Sequence, residues 1–82
     1  MSSMKKSELL KIIGSNVKNI RVSKGMAQID LASRVVGSID TTNISRIESG
    51  RTNPTIFTLY RIAEALEVPV SDLTKTEFLN KE

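Results

Sequence analysis

Leu10, Ile13, Val17 and Ile20 recur at the i, i+3, i+7 spacing that gathers side chains on one buried helical face. Ser7 suits the cap of that helix and Gly25 its stop, so the pattern predicts a first helix from about Ser7 to Lys24. Residues 1–6 lack the pattern and are expected to form a loose arm. Leu31, Ala32 and Val35 predict a second helix over about 28–36. A fourth apolar stripe, Ile56, Leu59, Ile62, Ala63 and Leu66, predicts a buried face on a helix from Ile56 to Leu66. It is entered through Asn53-Pro54-Thr55, where Pro54 disfavours helix at Asn53 and Thr55 can cap the helix beyond it. Pro69 opens a last short helix containing Leu73, and Phe78 and Leu79 stand apolar in a polar tail. The expected architecture is an all-α chain of five helices, with a folded domain over 7–74 and a tail over 75–82.

The third helix is the informative one. Asp40-Thr41-Thr42-Asn43-Ile44-Ser45-Arg46-Ile47-Glu48-Ser49-Gly50 has both ends marked. Asp40 can accept from the free N–H groups of the first turn, and Gly50 suits the left-handed residue just past the end. Ile39 and Ile44 have the spacing of a hydrophobic staple. Ile44 and Ile47 face inward at i, i+3, which leaves Thr41, Thr42, Ser45 and Arg46 on other faces. Small hydroxyl side chains followed by an arginine suit a major groove, because Arg can bond two acceptors of guanine and Thr offers both a hydroxyl and a methyl. Asn43 is placed to bond a phosphate or the helix itself.

These residues sit inside a longer ordered pattern. Gly25-Met26-Ala27-Gln28-Ile29-Asp30-Leu31-Ala32, then Ile44 to Pro54, then Thr58-Leu59-Tyr60-Arg61-Ile62-Ala63-Glu64-Ala65-Leu66 and the Val68…Asp72-Leu73 tail resemble the Cro/C1-type (Xre-like) helix-turn-helix regulators. The resemblance covers residues 13–73 or so. It implies a compact five-helix, lambda-repressor-like domain that binds double-stranded operator DNA, usually as a dimer. It further implies that Gln28 meets a DNA phosphate and that Glu48 pairs with a basic residue of the first helix, which here is Arg21. Arg51 and Thr52 come just after the recognition helix and are expected on the DNA backbone. Two departures stand out. Ala27 occupies the position where the family places a Ser or Thr cap, which should cost about 1 kcal/mol. From Leu31 to Ile44 the chain also carries about two residues more than the usual spacing, around Val36-Gly37-Ser38, a length absorbed at little entropic cost.

Composition narrows the chemistry. The 82 residues contain no cysteine and no histidine. Disulfides, thiolate or imidazole metal sites and the usual nucleophile–base pairs are thereby excluded. No paired-acid motif is present, so an enzyme is not expected, nor a cofactor or metal. Twelve Lys and Arg against nine Asp and Glu give +3, a mild excess compatible with nucleic acid. No stretch has the ~20 apolar residues of a membrane helix, nor the features of a signal peptide, so a cytoplasmic protein is expected. Phe57 lies nearly opposite the core stripe of the fourth helix, near Tyr60 and Glu64. Like Val70, Phe78 and Leu79 in the tail, it is either scattered surface hydrophobicity or a contact for another chain. The resemblance, whose dimers use this C-terminal half, implies self-association through about residues 67–79. The expected function is a sequence-specific DNA-binding transcriptional regulator, most simply a dimeric repressor of an inverted-repeat operator. The alternative is an antitoxin or adaptor that mainly binds a protein partner.

Overall fold

The computed structural model describes residues 3–76. Five helices succeed one another in chain order: α1 Lys6–Ser23, α2 Gln28–Arg34, α3 Thr41–Glu48, α4 Ile56–Leu66 and α5 Ser71–Thr74. The all-α, five-helix expectation is met, with boundaries displaced by a residue or two. α1 begins at Lys6, and Ser7 is not its cap; instead the Glu8 carboxylate accepts from the Lys5 backbone N–H at 3.1 Å. α2 stops at Arg34 instead of running to Val36, although Val35 is still buried just beyond it.

Capping chemistry differs from the expectation at two ends. Ala27 has no acceptor to offer α2, but Asp30 reaches back to accept from the Ala27 N–H at 2.8 Å. Half of a capping box therefore survives, and it offsets part of the loss assigned to alanine. Asp40 occupies the cap position of α3 with extended backbone, yet its carboxylate makes no hydrogen bond to the first turn. At α4 the expected cap is present: Thr55 Oγ1 accepts from the Thr58 N–H at 3.1 Å. The far end of α3 closes as a Schellman turn, with Gly50 N–H donating to Ile47 O and Arg51 N–H to Arg46 O. Gly50 takes φ +77° there, a conformation that favours glycine.

α1 packs against α3 and α5, α2 against α3 and α4, and α4 against α5. Val17, Leu31, Ile44, Ile62, Leu66 and Leu73 are fully buried between them. Each stabilises the fold by about 1.5–3 kcal/mol through apolar burial. Leu10 and Ile20, expected on the same face as Val17, are only half-buried. Ile56 corrects the reading of α4: it is 72% exposed. As the first residue of the helix it overhangs the core, whose layer begins at Leu59. Asn16 on α1 ties down the last helix by donating to Leu73 O at 2.9 Å and Lys75 O at 3.1 Å.

Gly14 is the contact on which α3 sits. A Cβ at this position would meet the Ile47 carbonyl oxygen and would stand 2.5 Å from that of Glu48. Both obstacles are backbone, so neither can swing aside. Gly14→Ala is expected to destabilise the domain by about 1–3 kcal/mol through forced separation of α1 and α3, against the small gain alanine brings to a helix. Thermal unfolding measures this directly. An unchanged or raised midpoint would show that the two helices part without strain.

Candidate nucleic-acid interface

α3 divides cleanly by exposure. Ile44, Ile47 and Glu48 are buried, whereas Thr42, Ser45, Arg46 and Ser49 are exposed. At ~100° per residue these four form a stripe opposite the buried face. Thr41 and Asn43 are half-buried and flank it on either side. The stripe combines three hydroxyls with one guanidinium, enough for hydrogen bonds and a bidentate contact to base edges. Ser49, which the sequence did not single out, donates from its hydroxyl to Arg46 O at 3.2 Å and so helps close the helix. Arg51 is exposed and Thr52 half-buried on the segment leaving the Schellman turn.

Beneath this surface lies an ion pair. Arg21 Nε donates to Glu48 Oε2 at 2.6 Å and Nη2 to Oε1 at 3.0 Å. The two side chains are 9% and 3% exposed. A third donor, Nη1, meets the Met26 carbonyl at 2.6 Å. Hydrogen bonding to Glu48 raises the Arg21 guanidinium above its ordinary value, against the opposing effect of burial. The pair thus joins α1, the loop before α2 and the end of α3.

Gln28 belongs to the same network. Its amide Nε2 donates to Glu48 Oε1 at 3.0 Å, so the carboxylate that holds Arg21 also orients this side chain. Lys18, Gln28, Ser45, Glu48 and Ser49 line one shallow depression beside the exposed stripe. With the Glu48 charge matched by Arg21, Lys18 supplies the cation at its rim. The structure therefore brings Gln28 and Ser45 together and leaves Arg51 and Thr52 beyond the C-terminal end of α3. The Gln28 contact spans 20 residues and has no local sequence signal.

The residues expected at a self-association surface are divided. Val68 and Val70 pack partly buried against the chain's own core, while Phe57 and Tyr60 are 67% and 52% exposed. Phe78 and Leu79 lie outside the described residues. No helix among the described residues is long and apolar enough to cross a membrane.

Comparison with known proteins shows the family and agrees with the fold. A helix-turn-helix family model matches residues 17–73. An uncharacterised HTH-type transcriptional regulator, y4dJ, of Sinorhizobium fredii is 38% identical over 61 residues, covering 74% of this chain and 77% of that protein. The immunity repressor protein of Bacillus phage phi105 is 33% identical over 70 residues, covering 85% of this chain and 47% of its own length. Among solved structures, a point mutant of the restriction-modification controller protein C.Esp1396I superposes with a TM-score of 0.76 at 35% identity over all of both chains. By its family match, its relatives and its fold, the chain belongs to the Xre/Cro–C1-like helix-turn-helix family of sequence-specific DNA-binding regulators, proteins that bind DNA and are not enzymes.

Proposed function

We propose that this protein is a dimeric repressor that places α3 in the major groove of an inverted-repeat operator. The observation that carries the reading is the exposed stripe of Thr42, Ser45 and Arg46 opposite the buried face of α3. Thr41, Thr42, Ser45 and Arg46 read base edges, Arg46 by a bidentate contact to guanine. Gln28, Asn43, Arg51 and Thr52 meet the phosphate backbone and set register without choosing sequence. Repression needs only occlusion of a promoter, and the protein works in the cytoplasm. The phage immunity repressor and the restriction-modification controller support a regulator of this kind. Two copies associate through their C-terminal halves, where the exposed Phe57 and Tyr60 supply apolar surface.

Arg46 tests the assignment. Arg46→Ala is expected to leave unfolding nearly unchanged, because the side chain is exposed and alanine favours helix. Binding to a duplex selected from a random pool should fall by about 1–3 kcal/mol, with discrimination relaxed at one base pair in each half-site. Arg51→Ala should instead weaken all duplexes alike and lower the salt slope by about one. Equal loss on selected and scrambled duplexes in Arg46→Ala would make Arg46 a backbone clamp.

A further inference from the structure

The connection between α2 and α3 passes through two successive residues with positive φ, Gly37 at +86° and Ser38 at +64°. Glycine adopts this conformation freely; serine does so against steric preference. Within the turn, the Ser38 N–H donates to Val35 O at 3.2 Å. Two further carbonyls are taken from outside by Arg61 of α4. Its Nε donates to Val36 O at 2.9 Å and its Nη2 to Ser38 O at 2.8 Å. The guanidinium lies over the Phe57 ring, 5.7 Å from its centroid. Gly37 lies close against it, since a Cβ there would come within 3.3 Å of Nη2.

A planar fork with donors at fixed separation can hold two carbonyls two residues apart in one mutual orientation. Phe57, whose ring is exposed on its other side, backs that fork by stacking and cation–π attraction. The restraint falls on the segment that carries the extra residues between Leu31 and Ile44. A longer turn closes at little entropic cost, but it allows more placements of the helix beyond it. The first turn of α3 hangs directly from this segment.

We propose that Arg61 is a positioning residue for DNA recognition: it clamps the lengthened turn to α4 and so sets how α3 enters the groove. It does this without touching DNA. The inference rests on the reading of α3 as the base-reading helix. Loss of the clamp leaves the fold and the number of cations facing phosphate unchanged but spreads the orientation of α3, and with it Thr41, Thr42, Asn43, Ser45 and Arg46. Bidentate base contacts tolerate such spread poorly.

Arg61→Lys and Arg61→Met provide the test. Lysine keeps the charge and loses the planar fork; methionine loses both. Amide hydrogen exchange, measured without DNA, should speed up at Ser38 and through the first turn of α3 in both variants. Affinity for the selected duplex should fall roughly tenfold, the equivalent of one to two hydrogen bonds. In Arg61→Lys the affinity for scrambled duplexes and the salt slope should stay as in the wild type. Wild-type discrimination in Arg61→Lys overturns the proposal, because charge alone would then suffice. Equal loss on selected and scrambled duplexes, or unchanged exchange at Ser38, overturns it too. A wild-type protein that fails to discriminate between duplexes overturns the reading of α3 and this inference with it. Discrimination that is lost in Arg46→Ala but kept in Arg61→Lys overturns this inference alone.

Discussion

Replacing Glu48 by alanine is expected to lower the free energy of unfolding by about 3–5 kcal/mol. The loss comes from the groups left behind. Arg21 would remain buried with only the Met26 carbonyl for company, and Gln28 would lose the oxygen that orients it. A domain of this size is stable by only about 5–15 kcal/mol in total, so the melting temperature should drop by some 4–8 °C per kcal/mol lost. Arg21→Met combined with Glu48→Leu should recover part of that loss, since an apolar pair needs no partner. Recovery should be incomplete. The Met26 carbonyl would lose its donor, and an unmet buried acceptor costs about 1–3 kcal/mol. Denaturant unfolding of the wild type, the single variant and the double variant separates these contributions. If Glu48→Ala melts with the wild type while DNA binding disappears, Glu48 acts at the interface through Gln28 and contributes little to stability.

Raising salt from 50 to 200 mM is expected to weaken operator binding roughly 10³-fold if about six phosphates are neutralised by the dimer. Six contacts correspond to three cations in each half. Arg51 is the one cation among the residues assigned to the backbone; Lys18 on α1 and Lys24 just after it, both exposed, are the further cations such a slope would require. The selected site should be an inverted repeat with half-sites ~34 Å apart, one turn of the duplex. Titrations of the wild type across that salt range, on the intact site and on a single half-site, measure slope and symmetry together. Affinity indifferent to salt, or full-strength binding of a monomer to one half-site, would refute the two-fold docking.

The exposed stripe of α3 and its buried counterpart are legible in the sequence because both depend on position along one helix. Arg46 stands between Ile44 and Ile47, and ~100° per residue turns it outward wherever those two turn inward. Gly14 is legible in principle, as a glycine beside Ile13 in the middle of a strong helical pattern. Its contact with α3 is not. The same holds for Phe57, whose outward direction comes from helical period while the guanidinium above it does not.

Sequence alone therefore determined the number of helices, the core stripes through Val17, Ile44 and Ile62, the Thr55 cap and the glycine that ends α3. Each depends on residues within a turn or two of one another, where backbone geometry links spacing to direction. Tertiary structure decided the exposure of Ile56, the seat of α3 on Gly14, the attachment of Gln28 to Glu48 and of Arg61 to the turn, and the anchoring of α5 by Asn16. Periodicity shows which way a side chain faces, but not how far the neighbouring layer extends along the axis. Polar side chains that cross between helices are placed by the angle and height at which those helices pack, and that is a property of the assembled core.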